Sequence, residues 1–177
     1  MSVPWLTACG KALTPNERKW LRDAAHDVTR DFGAVVVIVN IGVFRCASMY
    51  CLRAGAPKAR IVGIDIKKCS VPIHRELRAE FIIADSRECH KTFKEPIHLL
   101  FIDGDHHYEV VRADIANWAP KVVPGGIISF HDFAPSPKDL RKIPYLEGVR
   151  RAVTEWNERA GWIRLSAPDS VAAFRRP

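Results

Sequence analysis

The sequence lacks most of the features that would place a chain in a specialised class. No apolar run reaches the ~18 residues that a membrane span needs. Cysteine numbers five in 177 residues, and Cys9, Cys46, Cys51, Cys69 and Cys89 contain no C-x-x-C pair. That odd, scattered set argues against a disulfide framework or a structural zinc site, and for a reducing compartment. The opening stretch "MSVPWLTACGKALTPNERKW" has no basic segment leading into an apolar one, so it does not read as a secretory signal. The expected location is the cytoplasm, without a membrane partner. The G-x-G-x-x-G fingerprint of dinucleotide enzymes is also absent. There is no repeat, low-complexity tract or convincing domain boundary, and a hydrophobic content of 47% suits one globular domain over residues 1–177.

Positive charge is in excess, with Lys+Arg 27 against Asp+Glu 20. The basic residues are scattered in short clusters such as "KAR" and "RKIPY", and no aromatic-interleaved platform accompanies them. This pattern reads as a solvated basic surface, and a nucleic-acid partner is disfavoured.

What is present is an alternation of strand and helix signals. Residues 1–33 form an N-terminal helical segment, in which "TPNERKWLRDAAHDVTRDFG" carries Thr14 as cap, Pro15 in the first turn, Glu17 completing a capping box and Gly33 as terminator. Residues 34–132 form the core. "AVVVIVN" reads as a buried strand from Ala34 to Asn40, and "ASMYCLRAG" as a helix closed by Gly55. "ARIVGID" and "EFIIAD" are further strands with a short polar helical stretch between them, and "RECHKTF" is a short helix. "IHLLFID" is a fourth strand, and "YEVVRADIANWA" a helix with Val110, Val111, Ile115 and Trp118 on one face. "GGIISFHDF" follows a "VPGG" turn as the fifth strand. Residues 133–177 supply a Pro-rich loop "APSPKDLRKIP", a helix "YLEGVRRAVTEWNERAG", and two strands, "WIRLS" and "SVAAFRR", that close as an antiparallel hairpin. Nearly continuous apolar strands interleaved with helices predict a doubly wound α/β fold with a mostly parallel sheet.

In such a fold, ligands sit outside the carboxyl ends of the strands. Those ends carry Asn40-Ile41-Gly42, Asp65, Asp85-Ser86, Asp103 and His131-Asp132. Helix capping accounts for any one of these residues. It accounts poorly for a strand ending in His-Asp beside another ending in "DGDHH". The turn "NIGVFRCAS" offers Gly42, Ser48 and the N–H groups of a helix start, which suit an anion. Asp65 stands at the distance expected of a carboxylate binding ribose hydroxyls. Together they point to an adenosine-containing cofactor. Asp105 and His107 read as turn or capping residues, the cysteines as packing residues, and His74, His90 and His98 as surface or hydrogen-bonded residues.

In order, "VNIGVFRCAS", "VGIDI", "ADS", "FIDGDHHYE" and "VPGGIISFHDF" resemble class I S-adenosylmethionine-dependent methyltransferases. The resemblance is to cephalosporin hydroxylase-like proteins and macrolide-sugar O-methyltransferases in particular, and more distantly to catechol O-methyltransferase. It implies a seven-stranded Rossmann-like methyltransferase fold. It also implies that Asn40, Ile41, Gly42 and Ser48 surround the methionine part of S-adenosylmethionine. Asp65 would bind the ribose, Asp85 and Ser86 would border the adenine, and Asp103 would border the cofactor. Asp103, His131 and Asp132 occupy the positions of divalent-metal ligands, and His106 that of the general base. Two residues depart from the family: Asn40 stands where an acidic residue usually binds the cofactor's ammonium, and Cys46 replaces a customary small residue.

The expected reaction is methylation of a small-molecule hydroxyl. A bound divalent ion lowers the hydroxyl's pKa, and a histidine titrating near neutrality takes its proton. Carboxylates suit Mg²⁺, whereas an imidazole suits a softer ion, so Mn²⁺, Fe²⁺ or Zn²⁺ stay open, as does a His131 outside the ligand set. The rival readings are a metal-independent methyltransferase, a non-catalytic cofactor-binding module and, third, a nicotinamide oxidoreductase. A chain this short leaves little to wall an acceptor pocket, so a homo-oligomer is a further expectation. The loop at 134–145 is expected to border that pocket and to present Lys138, Arg141 or Lys142 to a negatively charged acceptor.

Overall fold

A computed structural model describes residues 12–33, 35–69 and 75–177. Cys9, His74 and the strand start expected at Ala34 lie outside them. The first helix, α1 (Pro15–Phe32), begins at the expected capping box: Thr14 accepts from the Glu17 N–H, and the Thr14 N–H donates to Glu17. Gly33 ends it with φ +84°.

The alternation then runs β1 (Val37–Ile41), α2 (Ala47–Gly55), β2 (Arg60–Asp65), a 3₁₀ turn (Arg75–Leu77), β3 (Glu80–Ile83) and α3 (Ser86–Cys89). It continues with β4 (Ile97–Ile102), α4 (Tyr108–Trp118), a second 3₁₀ turn (Ala119–Lys121) and β5 (Val122–Phe130). The last third holds α5 (Pro137–Lys142), a third 3₁₀ turn (Pro144–Leu146), α6 (Glu147–Ala160), β6 (Ile163–Leu165) and β7 (Ala172–Arg175). The strands form one seven-stranded sheet in the order β3-β2-β1-β4-β5-β7-β6. β1 to β5 pair in parallel, and β7 is antiparallel to both β5 and β6, which gives the expected closing hairpin.

Period-two alternation sends successive strand residues to opposite faces. Ile38, Ile61, Leu99 and Phe101 pack with Leu21 and Val28 of α1 and Met49 and Leu52 of α2. Val39, Val62, Leu100 and Ile128 pack with Val111, Ile115 and Trp118 of α4 and Val149 and Val153 of α6. Among the described residues both faces are therefore covered, which leaves the strand ends for a site. Among the described residues no helix is long and apolar enough to cross a membrane.

Two local expectations need correction. The "VPGG" stretch belongs to β5 rather than to a turn before it, with a register irregularity between Ile97 and Leu99 of β4 that accommodates it. The Pro-rich loop contains a short helix, α5, because Ser136 caps it (Oγ accepts from the Asp139 N–H at 3.2 Å) and Pro137 fills the first position.

Candidate active site

The sheet order reverses between β1 and β4, and a cleft of about 550 Å³ opens at the carboxyl ends there. Ile41, Gly42, Asp65, Asp85, Ser86, Asp103, His106, His131 and Asp132 all line it. Asn40 and Ser48 are buried and are not among its lining residues. Asn40 lies on the opposite pleat from Ile41, on the face that α1 and α2 cover.

Around β1 to β3, polar groups bond mainly to backbone. Asp65 Oδ2 accepts from the N–H groups of Val43 (2.8 Å) and Phe44 (3.0 Å), and Oδ1 from that of Lys67 (2.9 Å). Asp65 thereby shapes the turn after β1, where Phe44 and Cys46 hold positive φ. Asp85 caps α3 through the Arg87 N–H (2.9 Å) and pairs with the Arg87 guanidinium at 2.6 Å. Asn40 Nδ2 donates to the Gly42 carbonyl (2.7 Å), whereas its buried Oδ1 has no hydrogen-bond partner among the described residues. Gly42, read from sequence as room for a ligand, makes room for the chain itself: φ is +85°, and a Cβ there would lie 1.9 Å from the Asp103 carbonyl oxygen. The Cys46 and Cys69 sulfurs are 2.9 Å apart.

Around β4 and β5, charged groups face one another. His131 Nδ1 lies 3.0 Å from Asp103 Oδ1 and 3.3 Å from Asp132 Oδ2, and Nε2 lies 3.3 Å from Glu17 Oε2. His106 Nε2 is 3.0 Å from Asp132 Oδ2, an ion-pair distance without hydrogen-bond alignment. Asp132 sits at φ +52°, which an Asp tolerates better than most residues. Ligand atoms of Asp103, His131 and Asp132 lie within 4.8 Å of one another, the spread of a single ion's donors.

Burial alone would lower the His131 imidazolium, but its three carboxylate partners outweigh that and push it up to about 12. Burial likewise works to raise Glu17, yet hydrogen bonds from His131, Ser170 and Thr14 draw it down to about 2. Asp132 falls well below the usual carboxylate range, since His106 and His131 overcome its burial. Asp103 is raised by burial, against the pull of His131. His106 is raised, chiefly by Asp132.

Sequence reasoning missed two carboxylates. Glu17 was read only as a capping residue, and nothing local signals a partner 114 positions away. Asp114, also lining the cleft, is 1% exposed and accepts from Ser86 Oγ at 2.6 Å. Its signal was available, for it lies one helical turn from Val110, Val111 and Trp118, on the apolar face of α4. Burial pushes it up to about 6. His107 and Asp105 hold the turn as expected: Asp105 Oδ1 is bonded to the His107 N–H (2.7 Å), and the His107 ring stacks on Tyr145. Lys138, Arg141 and Lys142 are exposed on α5 and do not line the cleft.

A family model described as a methyltransferase domain matches residues 39–133. An uncharacterized protein of Sinorhizobium fredii, y4gI, is 42% identical over 55 residues, which is 27% of this chain and only 6% of that protein. Three solved structures share the fold. Cofactor-bound Rv0187 from MTB has a TM-score of 0.71 at 20% identity, over 98% of this chain and 90% of its own. The O-methyltransferase from Bacillus cereus in complex with SAH has 0.69 at 15%, over 99% and 92%. MycE methyltransferase from the mycinamycin biosynthetic pathway, in complex with Mg and SAH, has 0.63 at 18%, over 90% and 54%.

Proposed function

From the premise that this chain belongs to the methyltransferase-domain family, we propose that it transfers a methyl group from S-adenosylmethionine to a small-molecule hydroxyl with the help of a divalent ion. The observation that carries the reading is the convergence of Asp103, His131 and Asp132 on one wall of the cleft, with His106 beside Asp132. The donor set fits a divalent ion, since ligand atoms of two carboxylates and one imidazole lie within 4.8 Å of one another. A cofactor fits too: the cleft, about 550 Å³, carries the Asp65 carboxylate at the end of β2 with the apolar Ile41 and Ile64 beside it, whereas Asn40 Oδ1 lies on the other face of the sheet.

When bound, S-adenosylmethionine supplies the sulfonium methyl that passes to the acceptor oxygen. Asp103, His131 and Asp132 would hold a divalent ion, whose chemistry there would be Lewis-acid polarisation of the acceptor hydroxyl. The chain's own residues do the rest. Asp65, Asp85 and Ser86 border the ribose and adenine side, and Ile41 and Gly42 the methionine side, with Ser48 behind them in the first turn of α2. His106 keeps Nε2 towards Asp132, which leaves Nδ1 to take the acceptor proton, and Asp132 then stabilises the imidazolium. His106 must be neutral to act. Because its pKa is raised, turnover should climb with pH through that pKa, above the ordinary histidine range.

One observation favours a metal-independent variant: His131 Nδ1 already pairs with both Asp103 and Asp132. Chelation followed by metal readdition, with methyl transfer read on a panel of hydroxyl acceptors, separates the two. S-adenosylhomocysteine should raise the melting temperature by mass action. A protein stabilised by NAD and indifferent to S-adenosylhomocysteine would sink the reading. The cytoplasmic location and a homo-oligomer that closes the acceptor side belong to the same proposal, and sedimentation velocity tests the second.

A further inference from the structure

Glu17 is held far more firmly than a helix cap requires. Its side chain is 2% exposed. Oε2 accepts from the Thr14 N–H at 2.8 Å, and Oε1 accepts from the Ser170 N–H at 3.1 Å and from Ser170 Oγ at 2.6 Å. A capping-box glutamate needs only the first of these, and can be left in water. Burying a carboxylate is costly unless it is fully partnered, so a second task has to account for the placement. That task is visible on the remaining side of Oε2, where His131 Nε2 stands at 3.3 Å.

A carboxylate can only accept, so Nε2 must carry a proton and donate it to Glu17. The opposite ring nitrogen, Nδ1, then faces Asp103 and Asp132 at 3.0 and 3.3 Å. With no ion there, Nδ1 also carries a proton, held between two acceptors. A metal ion would occupy the same point and displace that proton. We infer that Glu17 is a positioning residue that orients His131 as a nitrogen ligand through Nδ1, and so biases the Asp103–His131–Asp132 site towards a transition ion over Mg²⁺. The inference rests on the metal-assisted reading above.

The physical reason has two parts. A carboxylate hydrogen-bonded to the far nitrogen of a metal-binding histidine fixes the ring and raises its basicity, and losing it weakens metal affinity by roughly 10–100-fold. Imidazole nitrogen suits Fe²⁺ or Zn²⁺ and is accepted alongside oxygen donors by Mn²⁺, whereas Mg²⁺ prefers oxygen donors alone. Two carboxylates alone would serve Mg²⁺, but a buried glutamate aligning an imidazole between them serves the softer ions.

The test is direct metal binding by the full chain, with Mn²⁺ followed by electron paramagnetic resonance and Mg²⁺ as competitor. Wild type should bind Mn²⁺ at least tenfold more tightly than Mg²⁺, with spin-echo modulation from one coordinated imidazole nitrogen. Glu17→Gln should weaken Mn²⁺ by roughly tenfold or more and change Mg²⁺ little. In the His131→Asp background the same substitution should weaken neither ion. Thr14→Ala removes the helix cap but keeps Glu17, and should leave Mn²⁺ affinity unchanged. Mn²⁺ binding without the nitrogen modulation overturns the inference even if no variant folds. So does a Thr14→Ala loss equal to that of Glu17→Gln, or a Glu17→Gln protein that binds Mn²⁺ like wild type. A wild type that binds no divalent ion at millimolar concentration sinks the metal-assisted reading itself, and the inference with it.

Discussion

At the ends of β1, β2 and β3 the polar side chains bond chiefly to their own backbone, whereas at the ends of β4 and β5 they bond to one another. Asp65 takes three N–H groups and Asp85 caps a helix. Asp103, Asp132 and Glu17 instead surround a single imidazole, with His106 beside them. Backbone-bonded carboxylates set the shape of loops. Carboxylates gathered around imidazoles hold charge that an ion, a proton or a substrate can rearrange. The two halves of one cleft therefore divide the work: one moulds a binding surface, the other stores reactive groups.

If that division is right, damage in the second half should stop the chemistry and leave binding of the cofactor nearly untouched. Asp103→Ala removes one proposed ligand and leaves His131 with one fewer carboxylate, so it should abolish metal-dependent methyl transfer. S-adenosylhomocysteine should still raise the melting temperature of the variant, and losing both responses together would break the division. Next in size, His106→Ala should lower turnover by roughly 10²–10⁴-fold, the usual worth of a general base. His107→Ala is the matched control, for its ring is largely exposed and stacks on Tyr145. It should cost far less, and a reversed order would mean that the second imidazole is the base.

Damage in the first half should have the opposite signature. Asp65→Ala frees the N–H groups of Val43, Phe44 and Lys67, so both the turn and any ribose contact are lost. Hydrogen bonds to a charged group are worth ~1.5–3 kcal/mol. Cofactor dissociation constants should therefore rise by roughly 10–100-fold, read by calorimetry, with turnover at saturating cofactor changed much less. A fall in saturated turnover equal to that of His106→Ala would erase the contrast between the halves.

The legible part of this site is the part that sequence order brings together. Asp103 and His106 lie in one strand end and turn, His131 and Asp132 in another, and parallel pairing of β4 with β5 sets the two ends side by side. The strand alternation was equally plain, since each strand is an apolar run between helix signals. Glu17 was not legible, because its sequence context is fully explained by the capping box, and only the folded chain lays α1 against His131. Asn40 shows a subtler limit. Two residues before Gly42 in sequence, it reads as a cleft residue until the pleat turns it to the other face. The helix α5 was missed in spite of a local signal, Ser136 followed by Pro137, because the proline and lysine content reads as loop.

The smallest effect expected is on stability, and it compares the buried carboxylate of each half. Glu17 has four donors around it and is drawn down to about 2; Asp114 has Ser86 Oγ and is pushed up to about 6. For an acid whose folded pKa is raised, the folded state binds the proton more tightly than the unfolded chain does. Stability is then greatest below the unfolded value of 3.8, falls as pH rises from there through about 6, and stays low above it. Moving the carboxyl from 3.8 to about 6 corresponds to ~3 kcal/mol. Asparagine removes the buried charge and still accepts from Ser86, but it must bury an amide N–H₂ as well. Asp114→Asn should therefore stabilise the protein at pH 8 by on the order of 1–2 kcal/mol, a gain that vanishes near pH 4. Urea unfolding of both proteins across that range measures it. Equal stabilities at pH 8 would mean that Asp114 is solvated or paired there. A variant that is more stable yet binds S-adenosylhomocysteine less tightly would mean that this strained carboxylate is kept for the cofactor it faces.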